Sequence, residues 1–145
     1  RPALLQLATG RRIFLLDLID LSTCALLGGL FAALLADSKV TKLTFGGKGD
    51  IKSLSRLSAF RGCASWPCAA VVDLQSMVSE LRASQRGTSA KVESQGLSLA
   101  QLTSDLLGRP LDKAMQASDW EARPLTVAQK RYAALDAWVL TELYE

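Results

Sequence analysis

RPLTVAQKRYAALDAWVLTELY, residues 123–144, is the stretch from which the rest of the chain can be read. Thr126 and Gln129 stand at capping-box spacing, where each side chain accepts a backbone N–H that the first helical turn leaves free. The spacing predicts a helix over Thr126 to Tyr144. Ala128, Tyr132, Leu135, Val139 and Leu143 recur at helical intervals and form an apolar stripe. Asp136 falls inside that stripe, where a carboxylate is costly unless a partner, a metal or a cleft receives it. Tyr132 lies four residues earlier, so both side chains project from one face, about 5–6 Å apart at Cβ. Spacing alone equally suits an Asp136 at the edge of the stripe, met by water or a lysine.

Working back from this helix, Leu111 to Leu125 reads as a loop. Leu97 to Leu107 reads as a helix stopped by Gly108-Arg109-Pro110. The polar stretch Ser84 to Gln95 reads as a mobile loop. Ala69 to Leu74 has the apolar content of a buried strand and runs into a helix near Leu74 to Ala83, with Asp73 as its cap. Asp50 opens another helix, with Ile51, Leu54 and Leu57 at helical spacing, and residue type alone makes it an N-cap. It also follows Gly46-Gly47-Lys48-Gly49 at the C-terminal edge of the strand Val40 to Phe45, where open sheets place ligand sites. Those glycines meet neither the dinucleotide nor the P-loop spacing. Further back, Ser22 or Thr23 can cap a helix to about Ala36. Leu4 to Thr9 and Arg12 to Leu18 suit a hairpin turning at Gly10-Arg11. Strands, then alternating units, then helices predict an α/β or α+β fold around one sheet.

The chain has 145 residues, 49% hydrophobic and 21% charged, which suits one globular domain over 1–145. Its net charge of +3 permits a polyanionic partner without requiring one. Cys24, Cys63 and Cys68 are the only cysteines and histidine is absent, so the chain cannot complete a four-ligand zinc site. An odd cysteine count suits a reducing, intracellular setting. The uncharged run Leu21 to Ala36 is shorter than the ~20 residues a bilayer needs, so a buried helix is expected and no membrane partner.

The order of motifs is more specific than any one of them. Gly96 to Leu102, Leu107 to Lys113, Gln116, Ser118-Asp119-Trp120 and Arg123-Pro124-Leu125-Thr126 are followed by Gln129 and by Tyr132 to Ala137. Upstream stand Ala3 to Thr9, Phe14 to Asp17, Lys42 before Asp50, and Val72-Asp73-Leu74. This series resembles the ribonuclease D family of 3′-5′ exonucleases over nearly the whole chain, and within it the Nibbler-type and Werner-type exonuclease domains.

The resemblance implies an RNase H-like mixed sheet flanked by helices. It also implies removal of nucleotides from the 3′ end of RNA or single-stranded DNA, with two Mg²⁺ or Mn²⁺ ions held by four acidic residues. By position, Asp50 matches the third acid and Asp136 the fourth, both as metal ligands. Tyr132 matches the tyrosine that positions the attacking water in the DEDDy class. Lys48, Lys113 and Arg123 are placed to meet phosphates, with Lys52 and Lys130 suiting a solvated face equally well. Trp120 suits either stacking on a base or anchoring its loop against the final helix.

The family's first motif, an Asp-x-Glu on the strand before Ala3, has no counterpart in this chain. The expectation is therefore an N-terminally incomplete domain whose first, central strand is absent, inactive and poorly folded on its own. An upstream segment or a partner chain would then complete the sheet. The alternative is a non-catalytic module of the same fold, with a structural or nucleic-acid-binding role in a larger assembly.

Overall fold

The apolar runs on either side of Gly10 fold back on one another in the computed structural model, which describes residues 1–145. Strands β1 (Leu4–Ala8) and β2 (Ile13–Asp17) pair antiparallel, with Leu4 opposite Asp17 and Ala8 opposite Ile13. Thr9 closes the turn: its N–H donates to the Arg12 carbonyl at 2.8 Å, and its hydroxyl accepts from the Arg12 N–H at 3.1 Å. Asp17 then caps the single-turn helix α1 (Leu18–Leu21), accepting from the Ile19 N–H at 3.0 Å.

Helix α2 (Ala25–Ala36) follows, and its start departs from expectation. Its cap is Cys24, which makes no side-chain capping bond. Because α1 occupies residues 18–21, Ser22 falls between the two helices and serves as a joint. Its carbonyl accepts from the Ala59 N–H and the Ser58 hydroxyl, both at 2.9 Å. This brings α2 against a short 3₁₀ turn at Ser58–Phe60. Leu18, Phe31, Leu35, Leu54, Leu57 and Phe60 form the main core, with Phe31 and Phe60 edge to face at 5.3 Å. Each such side chain contributes about 1.5–3 kcal/mol by leaving water. The same packing explains the uncharged run: no helix is long and apolar enough to cross a membrane.

Strand β3 (Lys42–Thr44) pairs parallel with β4 (Val71–Asp73), Lys42 opposite Val71 and Thr44 opposite Asp73. The crossover between them carries α3 (Lys48–Leu54). Helix α4 (Leu74–Arg86) is capped by Asp73 as expected, and Gly87 ends it at φ 66°. The polar stretch after it is not wholly a loop. Ser89 caps a further short helix, α5 (Ala90–Ser94), by accepting from the Val92 N–H. Helix α6 (Leu99–Leu107) begins at the Ser98 cap and stops at Gly108, φ 68°.

Helix α7 (Val127–Tyr144) has the expected capping box between Thr126 and Gln129. Its buried face differs from the predicted stripe. Gln129, Ala133 and Val139 are buried, whereas Ala128 and Leu135 are exposed. The buried line therefore runs through 129, 133 and 139, with Tyr132 and Asp136 half-buried along it. Gln129 can be buried because its amide is bonded to Thr126, Ser118 and Asp119.

The α/β fold is as expected, but in place of one mixed sheet the strands form two separate two-stranded sheets, β1–β2 antiparallel and β3–β4 parallel. Helix α7 lies across β1, β2 and β3 and so spans both ladders.

Candidate active site

Four aspartates bear on the site, Asp17 and Asp73 at the ends of β2 and β4, Asp50 in α3 and Asp136 within α7, and the structure divides them into two kinds. Asp17 and Asp73 are satisfied by the protein. Asp17 forms a bidentate pair with Arg123, and the guanidinium holds its carboxyl well below the ordinary 3.8, at about 2. Asp73 accepts from the Ser76 N–H (3.1 Å), the Gly47 N–H (3.0 Å) and the Thr44 hydroxyl (3.1 Å). Burial opposes these bonds, yet together they lower its pKa.

Asp50 and Asp136 are the other kind: neither takes part in any ion pair. Asp136 is half-buried, and desolvation raises its pKa while the Tyr132 hydroxyl, a turn away, pulls it back. Burial and the Asp136 charge raise the Tyr132 phenol in turn. Asp50 lies in the first turn of α3, whose N-cap is Gly47, so it is not the N-cap that residue type suggested. Its side chain is exposed, and its pKa is raised first by the protein around it and then by Asp73. Asp73 thus has two effects nearby. It pins the Gly47 turn that launches α3, and it sets a negative charge beside Asp50.

Tyr132 and Asp136 open into a cleft of about 370 Å³. Ala3, Leu4 and Gln6 line one side, Gln116, Trp120 and Glu121 from the 109–125 loop line another, and Arg1 also borders it. The loop is tied to α7 by Gln129, whose amide donates to the Asp119 carbonyl at 2.8 Å and the Ser118 hydroxyl at 3.3 Å. Its amide oxygen accepts from the Thr126 N–H at 2.9 Å. Trp120 packs its ring against Tyr132, centroids 5.9 Å apart and tilted by 43°. Trp120 thus packs on the final helix and also forms part of the cleft wall.

Asp50 is not among the residues lining this cleft. No group of three or more carboxylate, cysteine or histidine side chains comes together anywhere in the chain. Asp50 and Asp136 nonetheless have the chemistry that hard divalent cations require: carboxylate oxygens held by the fold without a lysine or arginine to neutralise them.

The basic residues separate in a similar way. Lys48, at the start of α3, and Lys113, in the loop, are exposed and make no ion pair, which leaves them available to a phosphate. Lys52 and Lys130 are exposed too. Arg123 is placed differently from the phosphate-facing position expected of it. Its Nε and one terminal nitrogen donate to the two Asp17 oxygens, and that nitrogen also reaches the Ala3 carbonyl at 3.1 Å. The other terminal nitrogen donates to the Trp120 and Ala122 carbonyls at 2.9 and 2.7 Å. All three nitrogens are engaged inside the protein. Gln6 and Gln116 are cleft residues that periodicity did not single out, since an uncharged amide in a strand or loop carries no pattern signal.

Compared with known proteins, residues 1–145 match the 3′-5′ exonuclease family model throughout. The chain is 34% identical to the human Exonuclease mut-7 homolog over 154 aligned residues, covering 100% of this chain and 17% of that protein. Its backbone is similar to the crystal structure of the Aedes aegypti Nibbler EXO domain, with TM-score 0.78 and 32% identity over 98% of this chain and 67% of that one. It is also similar to Escherichia coli RNase D, described as an exoribonuclease involved in structured RNA processing. There the TM-score is 0.71 and the identity 26%, over 98% of this chain and 32% of that one. The chain thus spans a small part of the longer relatives it matches.

Proposed function

This chain belongs to the 3′-5′ exonuclease family, and on that premise we propose that it contributes to a metal-dependent exonuclease site acting on the 3′ end of RNA or single-stranded DNA. The observation that carries this reading is Asp136: a half-buried carboxylate beside Tyr132, opening into a cleft and in no ion pair. A cation arriving there would relieve the cost of holding that charge partly out of water.

Asp136 and Asp50 are the residues that would hold Mg²⁺ or Mn²⁺. When bound, such cations acidify a water molecule and neutralise charge on the phosphodiester. A strand from an upstream segment or a partner chain would complete the sheet along β1 and β3. Tyr132 orients the attacking water through its hydroxyl, kept protonated by its raised pKa. Trp120 holds the tyrosine ring in place, and Lys48 and Lys113 meet backbone phosphates as the strand enters. The similarity to an exoribonuclease favours RNA as the substrate.

The test uses the protein expressed from its whole reading frame, with release of mononucleotides from labelled 3′ ends measured with and without Mg²⁺ or Mn²⁺. Asp136→Asn should abolish metal-dependent release and leave the protein at least as stable at neutral pH. The sign follows from the raised pKa: the unfolded carboxyl ionises first as pH rises, so the charged form costs the folded state stability that asparagine restores. A variant keeping more than about a tenth of the rate, a loss below about 1.4 kcal/mol, would refute the assignment.

A further inference from the structure

One polar junction lies outside the residues that line the cleft. Asp17 and Arg123 are 106 residues apart in sequence and form the molecule's one bidentate ion pair. Arg123 also ties three pieces of backbone together: Ala3 before β1, and Trp120 and Ala122 within its own loop. A planar guanidinium can do this because its five donors radiate in fixed directions, and a lysine cannot.

The loop has a second fastening. Gln129 grips Ser118 and Asp119 from the first turn of α7. Trp120 therefore sits between two clamps, one on the helix that carries Tyr132 and Asp136, the other on the hairpin that supplies Ala3, Leu4 and Gln6. Its ring fills the space against Tyr132. If the Arg123 clamp loosens, Trp120 loses its fixed depth, and the tyrosine loses the surface that limits its rotation.

We infer that Arg123, locked on Asp17, is a positioning residue that acts through Trp120 to set where the Tyr132 hydroxyl stands in the cleft. The inference rests on the proposed role of Tyr132. It makes Arg123 part of the aiming of the nucleophile and not part of phosphate binding.

These two roles differ in what they do to binding and to rate. A phosphate ligand contributes to strand affinity and to its salt dependence, and losing it reduces the salt slope by about one. A positioning residue acts on the chemical step, where displacing a group by about 1 Å can cost as much as 10²-fold. The experiment measures single-turnover rate and strand affinity across salt for Arg123→Lys, which keeps the charge and loses the fork, with Asp17→Asn as a second way to open the clamp. Both should lower the rate about tenfold or more, with affinity within about twofold and the salt slope unchanged. In a Tyr132→Phe background Arg123→Lys should change the rate less than about twofold, because its effect passes through the missing hydroxyl.

A 5-fluorotryptophan label reads the clamp without activity: the Trp120 ¹⁹F resonance, assigned with Trp120→Phe, should move in Arg123→Lys and in Asp17→Asn. Lower affinity with a salt slope reduced by about one would overturn the inference in favour of a phosphate contact. An equal rate loss with and without the Tyr132 hydroxyl would overturn it in favour of a general effect on the fold, as would an unmoved resonance. Absence of metal-dependent 3′ release by the unaltered protein would instead refute the functional reading, and the resonance would still report on the clamp.

Discussion

Replacing Gly28 with alanine adds a single methyl group to α2, and the structure gives it no room. A Cβ built there lies 1.9 Å from the Ala59 carbonyl oxygen and 3.0 Å from its carbon. Both are backbone atoms fixed by the Ser22 joint, so no rotamer change can relieve the clash; α2 and the 3₁₀ turn must part by about 1 Å. Opening a core seam by that much forfeits roughly a quarter to a half of the dispersion energy across it. Overpacking of this kind costs about 1–3 kcal/mol, and an immovable obstacle places Gly28→Ala at the upper end. The neighbouring Gly29 is the control. It is exposed in the same helix, a Cβ there meets nothing within 4 Å, and alanine should stabilise by about 0.8–1 kcal/mol through helix propensity. Because the propensity gain applies at both positions, the two variants should differ by about 3 kcal/mol, the cost of the clash, with Gly28→Ala below the unaltered protein and Gly29→Ala above it. That corresponds to roughly 1.5 M in urea midpoint for an m-value near 2 kcal/mol/M. A Gly28→Ala midpoint equal to or above that of the unaltered protein would refute the close approach of α2 to Ala59.

Two further outcomes follow from the candidate site. Tyr132→Phe should slow single-turnover cleavage by about 10²-fold while changing strand affinity much less, since orienting a water matters most in the transition state; a large affinity loss at unchanged rate would make Tyr132 a packing or binding residue. Asp17, with a folded pKa of about 2 against an ordinary 3.8, contributes stability that is fully present above about pH 4 and lost as pH falls through 2. Asp17→Asn should therefore flatten the loss of stability between pH 4 and 2 in denaturant titrations, and a curve parallel to that of the unaltered protein would mean the ion pair does not persist in solution.

What could be read from the sequence was whatever is local. The capping box at Thr126 and Gln129, the hairpin around Gly10 and the stop at Gly108 each depend on neighbours a few residues apart. Local chemistry also misled at three places. Asp50 has the residue type of an N-cap, but Asp73 reaches across from β4 to fix Gly47, and α3 starts earlier. The polar residues 84–95 read as a loop because α5 buries nothing, although Gly87 and Ser89 form a stop and a start that mark it. The predicted stripe on α7 included Ala128 and Leu135 on hydrophobicity alone, whereas the buried line passes through Gln129, polar but satisfied by the loop. The Asp17–Arg123 pair joins segments 106 residues apart, and no spacing rule reaches that distance. Family resemblance could place Tyr132 and Asp136 by position; it could not say what holds them.

The capping box has one more consequence, and it concerns angle. An α-helix turns about 100° per residue, so a slip of one residue at its start would swing every later side chain by that amount. Gln129 prevents the slip, since its amide is bonded at once to the helix origin at Thr126 and to the loop at Ser118 and Asp119. Tyr132 and Asp136 lie one and two turns further along the same axis. The bearing of the phenol and the carboxylate is therefore fixed upstream of both, by an uncharged side chain that never enters the cleft.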